Sequence, residues 1–101
     1  MNSGICVKVH RSGKELLVAA CDVDILGNTF REGKLRIQVS RDFYEGDTVG
    51  EDTLVNRLEL ATVANLVGSQ VIDIAIRHGF IDPDCVLVID GVPHAQMARM
   101  V

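Results

Sequence analysis

The chain has 101 residues, 48% of them apolar, with 14 acidic side chains against 10 basic ones and a formal net charge of −4. That length fits one domain, residues 1–101, and a chain of this size buries roughly two-thirds of its unfolded surface without staples. The acidic balance excludes a globally basic nucleic-acid binder, and with no Trp only Phe30, Phe43, Tyr44 and Phe80 could stack on bases.

Ile5 to Val9 is mostly apolar and β-branched and predicts a strand. Arg11-Ser12-Gly13-Lys14 has turn chemistry, and Leu16 to Cys21 is a continuous apolar run that predicts an interior strand. The two should form a hairpin. Asp22 can cap a short helical turn ended by Gly27. Asn28 to Arg31 reads as extended, Glu32-Gly33 as a turn, and Leu35, Ile37 and Val39 alternate with polar residues as in a half-buried strand. Ser40 to Asp47 reads as a polar loop carrying Phe43-Tyr44.

Thr48 with Glu51 fits a capping box, which predicts a helix running to about Leu66 with Leu54, Leu58 and Ala61 as its apolar stripe. Gly68 should break it. Ser69 can cap the next helix, Gln70 to His78, with Val71, Ile72, Ala75 and Ile76 inward and Gly79 at the left-handed position after its end. Val86 to Ile89 predicts a second interior strand, and Asp90-Gly91 a turn leading to the polar cluster Pro93-His94-Ala95-Gln96. Val18 and Val88 are expected deep in the core. Met97 to Val101 should be a terminal strand or frayed.

Four chemistries can be weighed on these residues. The Gly68-Ser69 helix start presents free N–H groups to an anion, with Asn65 as an added donor; the alternative is a tight corner that needs Gly. There is no P-loop and no dinucleotide fingerprint, so no cofactor is expected. His94 with Gln96 could supply acid, base or ligand chemistry, or only a hydrogen bond. Cys6, Cys21, Cys85, His10, His78 and His94 lack the close spacing of chelating loops, so no metal is expected. Cys21 or Cys85 with His94 could make a nucleophile, but Asp22 beside Cys21 would raise the thiol pKa. Asp22 with Asp24, and Asp82 with Asp84, fit helix capping and turns. Arg31, Lys34 and Arg36 lie close together and could contact nucleic acid or form an ordinary solvated face.

Three blocks together resemble a family known as the archaeal conserved domain of unknown function 424. They are Leu17 to Asp22 with Leu26 to Gly33, Ala64 to Gly68, and Gly91 to Gln96. The resemblance covers nearly the whole chain. It implies an archaeal cytosolic protein with no activity to carry over, and an association with the translation apparatus. The polar residues shared with that pattern are Asn28, Thr29, Arg31, Glu32, Asn65, His94 and Gln96.

The expected fold is α+β: a mixed or antiparallel sheet of four to five strands with two helices packed on one face. Three functional readings compete. One is a small binding module for RNA or a translation-related protein, using Arg31, Lys34 and Arg36. Another is an enzyme or small-anion receptor using Asn65, Gly68, Ser69, His94 and Gln96. The third is a structural interaction subunit, possible as a homo-oligomer, docking through Phe43-Tyr44. The three cysteines fit reduced thiols in a cytoplasm, and no apolar stretch reaches the ~18 residues of a membrane span.

Overall fold

The apolar, β-branched N-terminal runs do form a hairpin. In the structure, a computed structural model that describes residues 4–99, β1 (Ile5–Ser12) pairs antiparallel with β2 (Glu15–Asp22) along its whole length. A second hairpin, β3 (Thr29–Glu32) with β4 (Leu35–Gln38), makes a separate two-stranded sheet. Then come α1 (Arg41–Tyr44), β5 (Asp47–Val49), α2 (Glu51–Leu60), β6 (Val63–Val67), α3 (Ser69–Arg77), β7 (Leu87–Ile89) and β8 (Val92–Ala98).

The main sheet has six strands in the order β5-β1-β2-β6-β8-β7, more than the four to five expected. Every neighbouring pair is antiparallel except β2 with β6, which is parallel. The excess comes from two segments. Thr48 does not cap a helix; it pairs with Cys6 in β5, and Gly50 is the residue before α2. The helix ends at Leu60 rather than near Leu66, because Ala61 turns extended and the Thr62 hydroxyl accepts from the Leu16 N–H at 2.8 Å. That bond delivers Val63 to Val67 into the sheet beside β2. Ser40 to Asp47 is not wholly loop, since Ser40 caps α1 by accepting from the Phe43 N–H.

Strand alternation divides the sheet into two faces. On one, Ile5, Val7, Val18, Ala20, Ala64, Leu66, Ala95 and Met97 pack under α2 and α3, the two covering helices expected. Leu54 and Leu58 of α2 are completely buried there, and each stabilises the fold by about 1.5–3 kcal/mol. In α3, Val71, Ile72, Ile74 and Ala75 are all buried. Its end follows the sequence signal: Gly79 has φ +79°, its N–H donates to Ile76, and the Phe80 N–H reaches back to Ala75. On the other face, Cys6, Ala19, Cys21, Val67 and Ile89 meet Ile37, Val39 and Tyr44 from the β3–β4 side and α1.

Two core expectations part company. Val18 is fully buried, but Val88 is 53% exposed because β7 is an edge strand of only three residues. Asp90 and Gly91 form a two-residue turn with φ +51° and +78°. The turn sends the chain straight back into β8. The polar cluster Pro93-His94-Ala95-Gln96 is therefore part of a strand. Of the terminal segment, Met97 and Ala98 finish β8, while Met100 and Val101 lie outside the described residues.

Candidate functional site

The open part of the second sheet face carries the candidate polar residues. Register places Lys8 opposite Ala19, Ala19 opposite Asn65, and Asn65 opposite Gln96, so a row crosses four strands on one face. The Gln96 side-chain amide donates to Asn65 Oδ1 at 2.8 Å. His94 stands two residues from Gln96 on the same face, opposite Val67 of β6 and Leu87 of β7. Diagonal neighbours across antiparallel strands lie about 7–8 Å apart, so Asn65, His94 and Gln96 share one surface. Burial lowers the His94 pKa, which keeps its imidazole neutral near pH 7.

At the other end of the row, α1 holds the side chains down. Lys8 Nζ donates to the Asp42 carbonyl at 2.7 Å, and the His10 ring lies 2.9 Å from the Phe43 carbonyl while stacking on the Phe43 ring. Phe43 is half-buried by that contact and Tyr44 is 5% exposed. The exposed apolar patch at Phe43-Tyr44 that would favour a structural interaction subunit is not formed, because Tyr44 is buried and Phe43 stacks on His10.

Gly68 and Ser69 are placed differently. Parallel pairing of Cys21 with Val67 brings Asp22, one residue further on, beside Gly68. The Asp22 carboxylate accepts from the Gln70 N–H and the Val71 N–H, each at 3.0 Å. These are the free donors of the α3 start, where an anion is favoured by the helix dipole. The anion is supplied by the chain itself. Asp22 makes no cap to its own following turn, and Ser69 is the first helical residue rather than the cap. Burial pushes the Asp22 pKa up, while the two N–H bonds and Ser69 pull it down. A Cβ on Gly68 would sit 2.5 Å from the Asp22 carboxyl carbon, so this corner needs Gly for contact as well as for its φ of +113°.

The buried Cys21 thiol is unsuited to attack. Cys21 is fully buried, and that burial pushes its pKa up to about 12, with Cys6 and Asp22 adding to it. Among the described residues no three His, Cys, Asp or Glu side chains are grouped to hold a metal ion. Nor is any helix there long and apolar enough to cross a membrane.

The basic residues do come together. Arg31 on β3 lies directly opposite Arg36 on β4, and Lys34 sits in the turn between them. All three are exposed. Neither Arg is in an ion pair among the described residues, and Arg36 donates only to Gln38, at 3.1 Å. The hairpin's one acid, Glu32, is turned away to accept the Asp90 N–H at 2.7 Å. Two like charges directly opposite on a hairpin cost up to about 1 kcal/mol.

Residues 10–100 match the model of a family described as "Protein of unknown function (DUF424)". The chain belongs to this family. Its fold is similar to that in the crystal structure of an uncharacterized conserved protein from Methanopyrus kandleri, with a TM-score of 0.80 at 22% identity, covering 98% of this chain and 96% of that one. At that identity the likeness speaks for the fold alone. A search of curated proteins gives no significant match.

The sequence did not reveal three features of the DUF424 chain. The docking of Asp22 onto α3 joins residues 48 and 49 positions apart; its one signal is a carboxylate ending an apolar strand that could lie beside a Gly-led helix start. The anchoring of Lys8 and His10 by α1 depends on a helix of four residues that looks like loop. A hollow lined by Val9, Arg11, Leu16, Arg57 and Leu60 draws on three elements, β1, β2 and the distant α2.

Proposed function

We propose that this DUF424 protein is a small binding module that contacts RNA through the outer face of the β3–β4 hairpin. The observation that carries this reading is the cross-strand placement of Arg31 against Arg36, both exposed and without an acidic partner among the described residues. An arrangement that costs stability and is met by no acidic side chain is expected where a ligand supplies the missing negative charge. Thr29 and Gln38 pair on the same outward face and can add hydrogen bonds to phosphate or sugar oxygens. Phe30 and Ile37 point the other way, into the core, so the outward face is held on a packed support.

The contact is local. Against a net charge of −4, three cations engage about three phosphates, and the affinity falls with a salt slope of about −2 on a log–log plot for a single strand. Raising salt fourfold then weakens binding roughly twentyfold. The test is fluorescence anisotropy with a labelled single-stranded oligoribonucleotide, wild type against Arg31→Ala/Arg36→Ala. The double variant should bind weakly, with its slope reduced to about −0.7. Equal affinity and an equal slope in the two proteins would overturn the reading.

A further inference from the structure

An uncommitted hollow lies on the sheet face that α2 and α3 cover, where the turn end of β1–β2 meets the last turns of α2. It has a volume of about 500 Å³ and is lined by Val9, Arg11, Leu16, Arg57 and Leu60. That volume lies within the range typical of ligand pockets. Its chemistry is divided. Val9, Leu16 and Leu60 give it aliphatic walls, and Leu60 remains 68% exposed on the final turn of α2. Arg11 and Arg57 bring two guanidinium groups, neither with an ion-pair or hydrogen-bond partner among the described residues. The neighbouring acid Glu15 is engaged with the Thr62 hydroxyl at 3.2 Å.

We infer that this hollow is a docking site for an acidic peptide segment of a partner protein, one that offers an aliphatic side chain next to a carboxylate. The aliphatic walls take the apolar side chain. The two guanidiniums in its lining take the carboxylate, for which their planar fork is suited. A phosphate backbone would satisfy the two Arg but leave Leu60, Leu16 and Val9 uncovered, so the walls select the peptide over nucleic acid. The site is on a different surface from the β3–β4 hairpin and stands apart from the RNA reading.

The test uses the full chain, isotope-labelled, and follows backbone amide shifts on titration with a capped Leu-Glu-Leu-Glu peptide. Arms with a capped Leu-Lys-Leu-Lys peptide, octanoate and the single-stranded RNA are run alongside. The inference expects saturable shifts centred on Arg11, Leu16, Arg57 and Leu60 with the acidic peptide. Arg11→Ala/Arg57→Ala should weaken this binding about a hundredfold while leaving the melting temperature unchanged, since each lost charged hydrogen bond carries at least about a tenfold effect. It is overturned if the acidic peptide produces no shifts at these residues, or if the basic peptide binds as well. It is also overturned if octanoate or the RNA is preferred there, or if the double variant binds the peptide like wild type.

Discussion

Removing the Asp22 carboxylate should weaken the fold by about 3 kcal/mol. The side chain is 4% exposed and accepts two N–H bonds from the first turn of α3. In Asp22→Ala the buried Val71 N–H loses its only acceptor, at about 1–3 kcal/mol, and the Gln70 N–H, closer to water, loses less. Loss of a cap alone costs about 1 kcal/mol. Against these, the variant no longer buries a charge, which trims the total. For a chain of this length, with stability of about 5–15 kcal/mol, the loss is a large fraction. Asp22→Asn keeps one acceptor and should cost only about 1 kcal/mol. The raised pKa sets the sign of the pH effect: burial favours the protonated form, so the proton-linked part of the Asp22 contribution is present below the ordinary Asp range and lost as pH rises through the raised value, while the two N–H bonds to the side chain persist. Asp22→Asn should remove that dependence. Gly68→Ala forces a Cβ into the same carboxylate at a φ of +113°, so combined with Asp22→Ala it should cost less than the sum of the two. Equilibrium urea unfolding followed by circular dichroism measures all four. An Asp22→Ala loss under about 0.5 kcal/mol would refute the capping argument.

Val88→Asp should fold and lose no more than about 0.5 kcal/mol, because the side chain is half exposed on an edge strand, whereas Val18→Asp should not give folded protein; soluble yield and circular dichroism decide. Glu51 accepts two bonds from Arg77 and lies 2.9 Å from His78, tying the start of α2 to the end of α3. The Arg77 and His78 bonds hold its pKa down at about 2. Its contribution is therefore present above the ordinary Glu range and lost as pH falls towards about 2, so Glu51→Gln should melt lower at pH 7 and flatten the acid limb of the stability curve. Thiol titration of the native protein should find Cys85 reacting fast and Cys6 and Cys21 only on unfolding, since Cys85 is exposed and the others are buried.

What the sequence made legible was local. The β1–β2 hairpin rests on two apolar runs around Gly13, and the end of α3 on Arg77, Gly79 and Phe80, and each lies within a few residues of its own signal. The β6 strand was hidden because Val63-Ala64-Asn65-Leu66-Val67 continues the apolar spacing of Leu54 and Leu58 with no Gly or Pro between. Only the distant partners Leu16 and Glu15 show that Thr62 ends the helix approach and opens a strand. Val88 was misplaced for a related reason: an apolar run of four residues looks the same at the edge of a sheet as in its centre. Among the candidate site residues, Asn65, His94 and Gln96 could be named but not joined, since their common face depends on β6 being a strand. Arg31, Lys34 and Arg36 were close in sequence, and the register of the hairpin turned that closeness into opposition across two strands.

The most direct test of the binding account is to map where RNA touches the molecule, by backbone amide shifts of the labelled protein titrated with a single-stranded oligoribonucleotide at low salt. The account predicts that shifts cluster on Thr29 to Gln38 and fade as salt rises. Shifts centred on Asn65, His94 and Gln96, or no saturable shifts at all, would contradict it.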